Sequence, residues 1–177
     1  MKTLTLFLLL LSSLIAESKV YVGANYGYLN ESFASGLDYE GSSSIARVKI
    51  GYGDINAYGV EFSVEYVDNE LNVYSVNDSE KYAFNVDLIK AFDFDIFFNP
   101  FFKAGIGTGY LQTESVGKVT YGSFNLGFGV LVPITNHIDV EIGYDYKNLS
   151  YERPTGEESQ SYESNVNGTY AGVNVRF

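Results

Sequence analysis

The residues able to do chemistry stand at alternate positions of short segments: Arg47 and Lys49, Glu61 and Glu65, Asp87, Lys103, then Asp139, Glu141, Asp145 and Lys147, and finally Arg176. A spacing of two places side chains on one face of a β-strand. Charges of both signs on facing walls pair and fill an interior, because a buried charge needs a partner. A one-sided charged lining would instead form a path for ions or small solutes. Acyl chemistry needs a His beside a nucleophile and a carboxylate. The single His, His137, falls between segments, and no alternating segment carries one. No enzyme activity is expected. With one His and no Cys, neither a zinc site nor a disulfide is expected, and no cofactor is implied.

Eight segments hold these residues. Residues 19–29 alternate Val20, Val22, Ala24, Tyr26 and Tyr28 with Tyr21, Gly23, Asn25 and Gly27; residues 43–52 alternate Ala46, Val48, Ile50 and Tyr52 with Arg47 and Lys49. In 57–66, Tyr58, Val60, Phe62, Val64 and Tyr66 alternate with Gly59, Glu61, Ser63 and Glu65, and in 81–91, Phe84, Val86 and Leu88 with Ala83, Asn85 and Asp87. The segments 100–111 and 121–131 set Phe102, Ala104 and Ile106 against Lys103, Gly105 and Gly107, and Phe124, Leu126 and Phe128 against Asn125, Gly127 and Gly129. The last two, 138–148 and 167–177, set Ile138, Val140 and Ile142 against Asp139, Glu141 and Gly143, and Ala171, Val173 and Val175 against Tyr170, Gly172 and Asn174. A helix would want apolar residues at i, i+3 and i+4, which these segments lack.

Composition says where such strands live. The chain of 177 residues is 19% charged and 16% aromatic, with 18 Gly, and its net charge is −11. Low charge with many aromatic residues fits strands that face lipid. The negative charge excludes nucleic acid as a partner. Lys2, the apolar run 6–15 and Ala16 have the form of a secretory signal peptide over residues 1–16, leaving 17–177 as the mature domain. The apolar run is too short for a spanning helix, and no later stretch reaches the ~18 apolar residues required. A membrane-spanning mature chain is therefore a closed β-barrel. The expected fold is an all-β, eight-stranded, antiparallel, up-and-down transmembrane barrel.

In a soluble β-protein the Tyr and Phe rows would point inward. The glycine rows oppose this, since a water-facing wall has no need of small residues whereas a narrow eight-stranded lumen does. Connections 53–56, 92–99 and 132–137 are short, while 30–42, 67–80, 112–120 and 149–164 are long, as expected for periplasmic turns and extracellular loops of an outer-membrane barrel with both termini periplasmic. The long connections are acidic, holding Glu31, Asp38, Glu40, Asp68, Glu70, Asp78, Glu80, Glu114, Glu152, Glu157, Glu158 and Glu163 against Lys118 and Arg153. They are expected to be solvated, to bridge through divalent cations to lipopolysaccharide, or to meet a surface partner. The Asn-x-Ser/Thr matches at Asn30, Asn77, Asn148 and Asn167 are no more than an Asn- and Ser-rich chain yields by chance.

The end of the chain, Tyr170-Ala171-Gly172-Val173-Asn174-Val175-Arg176-Phe177, resembles the assembly signal of outer-membrane barrels. Residues 19–177 as a whole resemble the small Gram-negative outer-membrane barrels of OmpA, OmpX and opacity type. The run 100–107, the turn 132–136 and residues 143–146 share that family's habits. The resemblance implies recognition by the barrel-assembly machinery through Tyr170, Gly172, Val175 and Phe177, outer-membrane lipids as surroundings, and, with the chain closing at Phe177, a barrel without the appended peptidoglycan-binding domain of full OmpA-type proteins. A monomer is expected, because closure removes the strand edges. The expected role is envelope structure or surface interaction around a polar, plugged lumen; the alternative is a narrow porin-like channel.

Overall fold

The structure, a computed structural model, describes residues 19–33, 40–53, 58–68, 80–113, 117–152 and 163–177. Its eight strands are β1 (Lys19–Phe33), β2 (Glu40–Gly53), β3 (Tyr58–Asp68), β4 (Glu80–Ala91), β5 (Asn99–Thr113), β6 (Gly117–Pro133), β7 (Ile138–Tyr151) and β8 (Glu163–Arg176). Each pairs antiparallel with the next, and β8 returns to β1, so the sheet closes in sequence order. The expected all-β, eight-stranded up-and-down barrel is the observed one. The segment 1–16 lies outside the described residues, as do Asp38, Glu70, Asp78, Glu114, Glu157, Glu158 and Arg153.

The alternation resolves in the expected sense. Ile106 is 66% exposed and Leu88 64%, whereas Glu141 is fully buried and Lys49 is 6% exposed. The apolar face therefore points outward and the charged face inward, which overturns the soluble alternative. Cross-strand aromatic pairs knit the outer wall: Phe62 stacks on Phe84 with ring centroids 6.4 Å apart, and Tyr66, Tyr82 and Tyr110 form a row across β3, β4 and β5 at 5.3 and 5.2 Å. Such pairs add stability beyond the area they cover.

The strands run longer than the sequence pattern marks. Glu31, Glu40, Asp68, Glu80, Lys118 and Glu163, expected in long connections, lie on strands. The reason is that alternation continues past the last aromatic residue, but with polar residues on the outer face, where the wall leaves the apolar layer. The inner face there is apolar. Leu29, Ile45, Val67, Ala83, Leu111, Val119, Leu149 and Val166, joined by Tyr121 and Tyr151, form one buried cluster with a member from every strand. A second cluster of Ile89, Ala91, Phe101, Leu131 and Tyr170 packs along β4, β5, β6 and β8 toward the end that holds the termini.

The β6–β7 turn at that end is tight. Pro133 ends β6, and the Thr135 hydroxyl accepts the backbone N–H groups of His137 and Ile138 at 3.2 and 3.0 Å. Asp95 adopts a φ of 57° and donates its N–H to the Asp93 carboxylate at 2.9 Å, a conformation Asp tolerates better than most residues.

Candidate functional site: a charge network across the lumen

The glycines of the inner wall make room for what fills it. A Cβ on Gly51 would lie 2.0 Å from the Tyr21 ring, one on Gly143 2.5 Å from Tyr170, and one on Gly109 2.6 Å from Tyr121. Each tyrosine stands directly opposite its glycine in register. The rings therefore lie along the wall, over strand positions that have no side chain.

Between the two apolar clusters the charges of facing strands meet. In the closed order β3 and β7 lie four strands apart in either direction, so a bond between them crosses the lumen. Arg47 on β2 donates from Nε to Glu65 Oε1 on β3 at 2.7 Å and from Nη2 to Asp145 Oδ2 on β7 at 2.5 Å. Lys147 of β7 also pairs with Glu65. Lys49 bridges Glu61 on β3 and Glu141 on β7, each at 2.5 Å. Lys103 on β5 reaches Asp145 Oδ1 at 2.9 Å and the Tyr170 hydroxyl at 3.0 Å.

Glu141 is the most connected acid. Besides Lys49 it accepts from the Tyr170 hydroxyl at 2.8 Å and from the side-chain amides of Asn174 at 2.8 Å and Asn25 at 3.4 Å. The Arg47 guanidinium and the Lys103 ammonium both lie over the Tyr170 ring, 5.0 and 4.6 Å from its centroid. Nearer the termini Arg176 pairs with Asp139. Asp87 differs from the others: it is buried, its one hydrogen bond comes from Asn125 Nδ2 at 3.4 Å, and it has no ion pair among the described residues.

The structure thus brings Arg47, Lys49, Glu61, Glu65, Lys103, Glu141 and Asp145 into one network, sets Asp87 at its side, and leaves Arg176 in a separate pair. Of the residues resembling an assembly signal, Tyr170 is buried inside the network, Gly172 faces inward, and Val175 and Phe177 are exposed on the outer face. His137 is exposed in the β6–β7 turn, where its carbonyl accepts the backbone N–H of Arg176 at 2.8 Å. Among the described residues no group of acids or His could hold a metal ion.

One pair escaped sequence reasoning. Glu31 on β1 and Lys81 on β4 form a buried ion pair, and Glu31 also accepts from the hydroxyls of Tyr151 at 2.9 Å and Ser164 at 2.6 Å. This pair sits within the apolar cluster at the end away from the termini. The available signal was parity: Glu31 continues the inward series Asn25, Gly27, Leu29, and Lys81 precedes Ala83 and Asn85 by the same step.

The outer membrane protein beta-barrel domain matches residues 3–177. No curated protein matches the chain. Among solved structures, Neisserial surface protein A superposes with a TM-score of 0.72 at 18% identity over 92% of this chain and 100% of that one. Ail of Yersinia pestis, determined with the heparin analogue sucrose octasulfate, gives 0.60 at 15% identity over 92% and 100%. OprG of Pseudomonas aeruginosa gives 0.56 at 12% identity over 90% and 96%.

Proposed function

The chain belongs to the outer membrane protein beta-barrel domain family, and on that premise we propose that it is an outer-membrane barrel sealed along its lumen, acting in envelope structure or surface interaction through the end away from its termini. The termini then lie in the periplasm, and the acidic connections between β1 and β2, β3 and β4, and β7 and β8 face outward from the cell. The lumen stiffens the barrel and carries no solute, and the role is one of scaffold and surface rather than of catalysis.

The observation that supports this reading is the set of bonds joining opposite walls. Arg47 and Lys49 each tie an acid of β3 to an acid of β7. A solute crossing the barrel would have to part both. A void lined by Glu31, Glu65, Lys81, Asn85, Ser123, Lys147 and apolar neighbours measures about 20 Å³, roughly the space of a single water. Opening a buried pair leaves uncompensated charges, at a cost of about 3–5 kcal/mol. The apolar clusters above and below add a further barrier to a hydrated ion.

The test is the conductance of the refolded mature barrel in a planar bilayer, with β-sheet circular dichroism as the folding check. A silent bilayer is expected. Reproducible single-channel steps from folded protein would replace this reading with a narrow channel, and Lys103→Ala or Glu141→Ala should then alter its ion selectivity.

A further inference from the structure

Three of the four Asn-x-Ser/Thr matches have a structural meaning that their composition hides. Asn30-Glu31-Ser32, Asn148-Leu149-Ser150 and Asn167-Gly168-Thr169 all lie on strands. Since side chains alternate, the middle residue faces the lumen and the Asn and the hydroxyl residue both face outward. The fourth match, at Asn77, lies outside the described residues.

Register gathers these outward residues into rungs. Ser42 stands opposite Asn30, Asn30 opposite Asn167, and Asn167 opposite Tyr146, one rung across β2, β1, β8 and β7. On the next rung Ser32 stands opposite Asn165 and Asn165 opposite Asn148. The rungs are cross-linked: Asn165 Oδ1 accepts from the Tyr146 hydroxyl at 2.7 Å and from Asn148 Nδ2 at 3.1 Å, and Asn30 Oδ1 accepts from Ser42 Oγ at 2.6 Å. In each case the amide oxygen is used. The Nδ2 groups of Asn30 and Asn165 and the whole Asn167 amide have no side-chain partner among the described residues. An open groove of about 510 Å³ lies over Asn30, Glu31, Ser32, Gly41, Ser42 and Asn167, and of these Glu31 turns its carboxylate inward to Lys81, Tyr151 and Ser164.

Resting on the outer-membrane reading above, we propose that this amide and hydroxyl face of β7, β8, β1 and β2 binds the uncharged sugars of the glycolipid leaflet that surrounds the barrel. Its height and direction select the source. The face looks sideways along the membrane plane, and the aromatic rows containing Tyr26 and Tyr28 lie directly beneath it, at the level where tyrosines mark the edge of the apolar layer. The molecules beside it are lipid headgroups.

Its charge selects their chemistry. From the tyrosines up to Glu163 at the rim, the described outward side chains of these four strands carry no charge. Phosphate and sulfate groups are held most strongly by cations, and Lys118 of β6, on the upper outer wall, is engaged over the Tyr110 ring of β5 instead. Free amide N–H groups at strand spacing, with tyrosine rings beside them, suit sugar hydroxyls and the apolar faces of sugar rings.

The test uses the folded barrel in nanodiscs of zwitterionic phospholipid. Dephosphorylated core oligosaccharide cut from lipopolysaccharide is titrated against 15N-labelled protein. The Asn30, Asn165 and Asn167 side-chain amide signals should shift, with an affinity insensitive to salt. In the Asn30→Ala/Asn167→Ala double variant, whose changes lie on the outer wall away from the lumen, binding should weaken roughly tenfold.

Equal affinity in the variant, shifts confined to the connections or to Lys118, or no shift at all would overturn the proposal. So would amide shifts that grow with protein concentration before any sugar is added, which would assign the face to a second copy. If the double variant fails to fold, Asn167→Ser alone serves, with the same readout. Conductance plays no part in this titration, so failure here leaves the sealed-lumen reading standing, and channel steps leave this one standing.

Discussion

Glu141 accepts bonds from four side chains and is fully buried, so its removal strands more of the lumen than any other single change. Glu141→Ala leaves the Lys49 ammonium with Glu61 alone and two amides and a hydroxyl without an acceptor. A loss of about 3–5 kcal/mol is expected in denaturant unfolding of the barrel in lipid or detergent. Asp87 gives the contrast. It is buried beside one weak hydrogen bond and no cation within pairing distance. Asp87→Asn keeps the shape and removes a charge that has no ion-pair partner, so the same measurement should show it unchanged or more stable, within about 1 kcal/mol. A large loss would mean that Asp87 holds a partner through water.

At the scale of the strand, each face carries its own tolerance. On the inner face Gly51 and Gly143 are covered by the rings of Tyr21 and Tyr170. Gly143→Ala must push the Tyr170 ring off the wall, and with it the hydroxyl that bonds Glu141. We expect it to cost about 1–3 kcal/mol as an overpacking change. The paired variant Gly143→Ala/Tyr170→Phe should add less than the sum of the two, since both break the same contact; additive losses would separate glycine from ring. On the outer face Phe84 is 46% exposed at mid-strand, stacked on Phe62. Phe84→Lys should cost about 2–4 kcal/mol when the barrel is folded into bilayers. The same substitution at Gln112, near the outer end of β5, should be close to neutral, and the difference between them maps the edge of the apolar layer.

Across the whole molecule, ion pairs that would be weak at a surface are buried inside a closed sheet. On the sealed-lumen reading, mobile ions have little access to them. Raising the salt from about 0.1 to about 1 M should therefore change the unfolding free energy little, although the same pairs exposed on a surface would be largely screened. A steep salt dependence would show that the lumen is open to electrolyte and would agree with channel steps in the bilayer. Closure also leaves no free strand edge among the described strands, since β1 is paired on both sides.

The sequence by itself determined the eight strands, their faces and the closed fold. Alternation is a local property, and a residue such as Phe62 between Glu61 and Ser63 reads the same in isolation as in the barrel. The family resemblance carried by residues 19–177 agreed with that pattern and with the matched domain. The inward residues were legible for the same reason, from Arg47 to Arg176. Strand ends were not legible, because past the tyrosines the outer face turns polar and the contrast that marks a strand disappears; this hid Glu31 and the outward Asn30 and Asn165. Only the tertiary structure decided which charge meets which. Lys49 and Glu141 lie far apart in the chain and bond because closure places β2 within reach of β7, and the stagger of each strand against the next aligns Lys49, through Gly23 and Asn174, with Asp139, two residues from Glu141. Closure likewise turned separate Asn-x-Ser/Thr triplets into one face, since no single strand holds more than one of them.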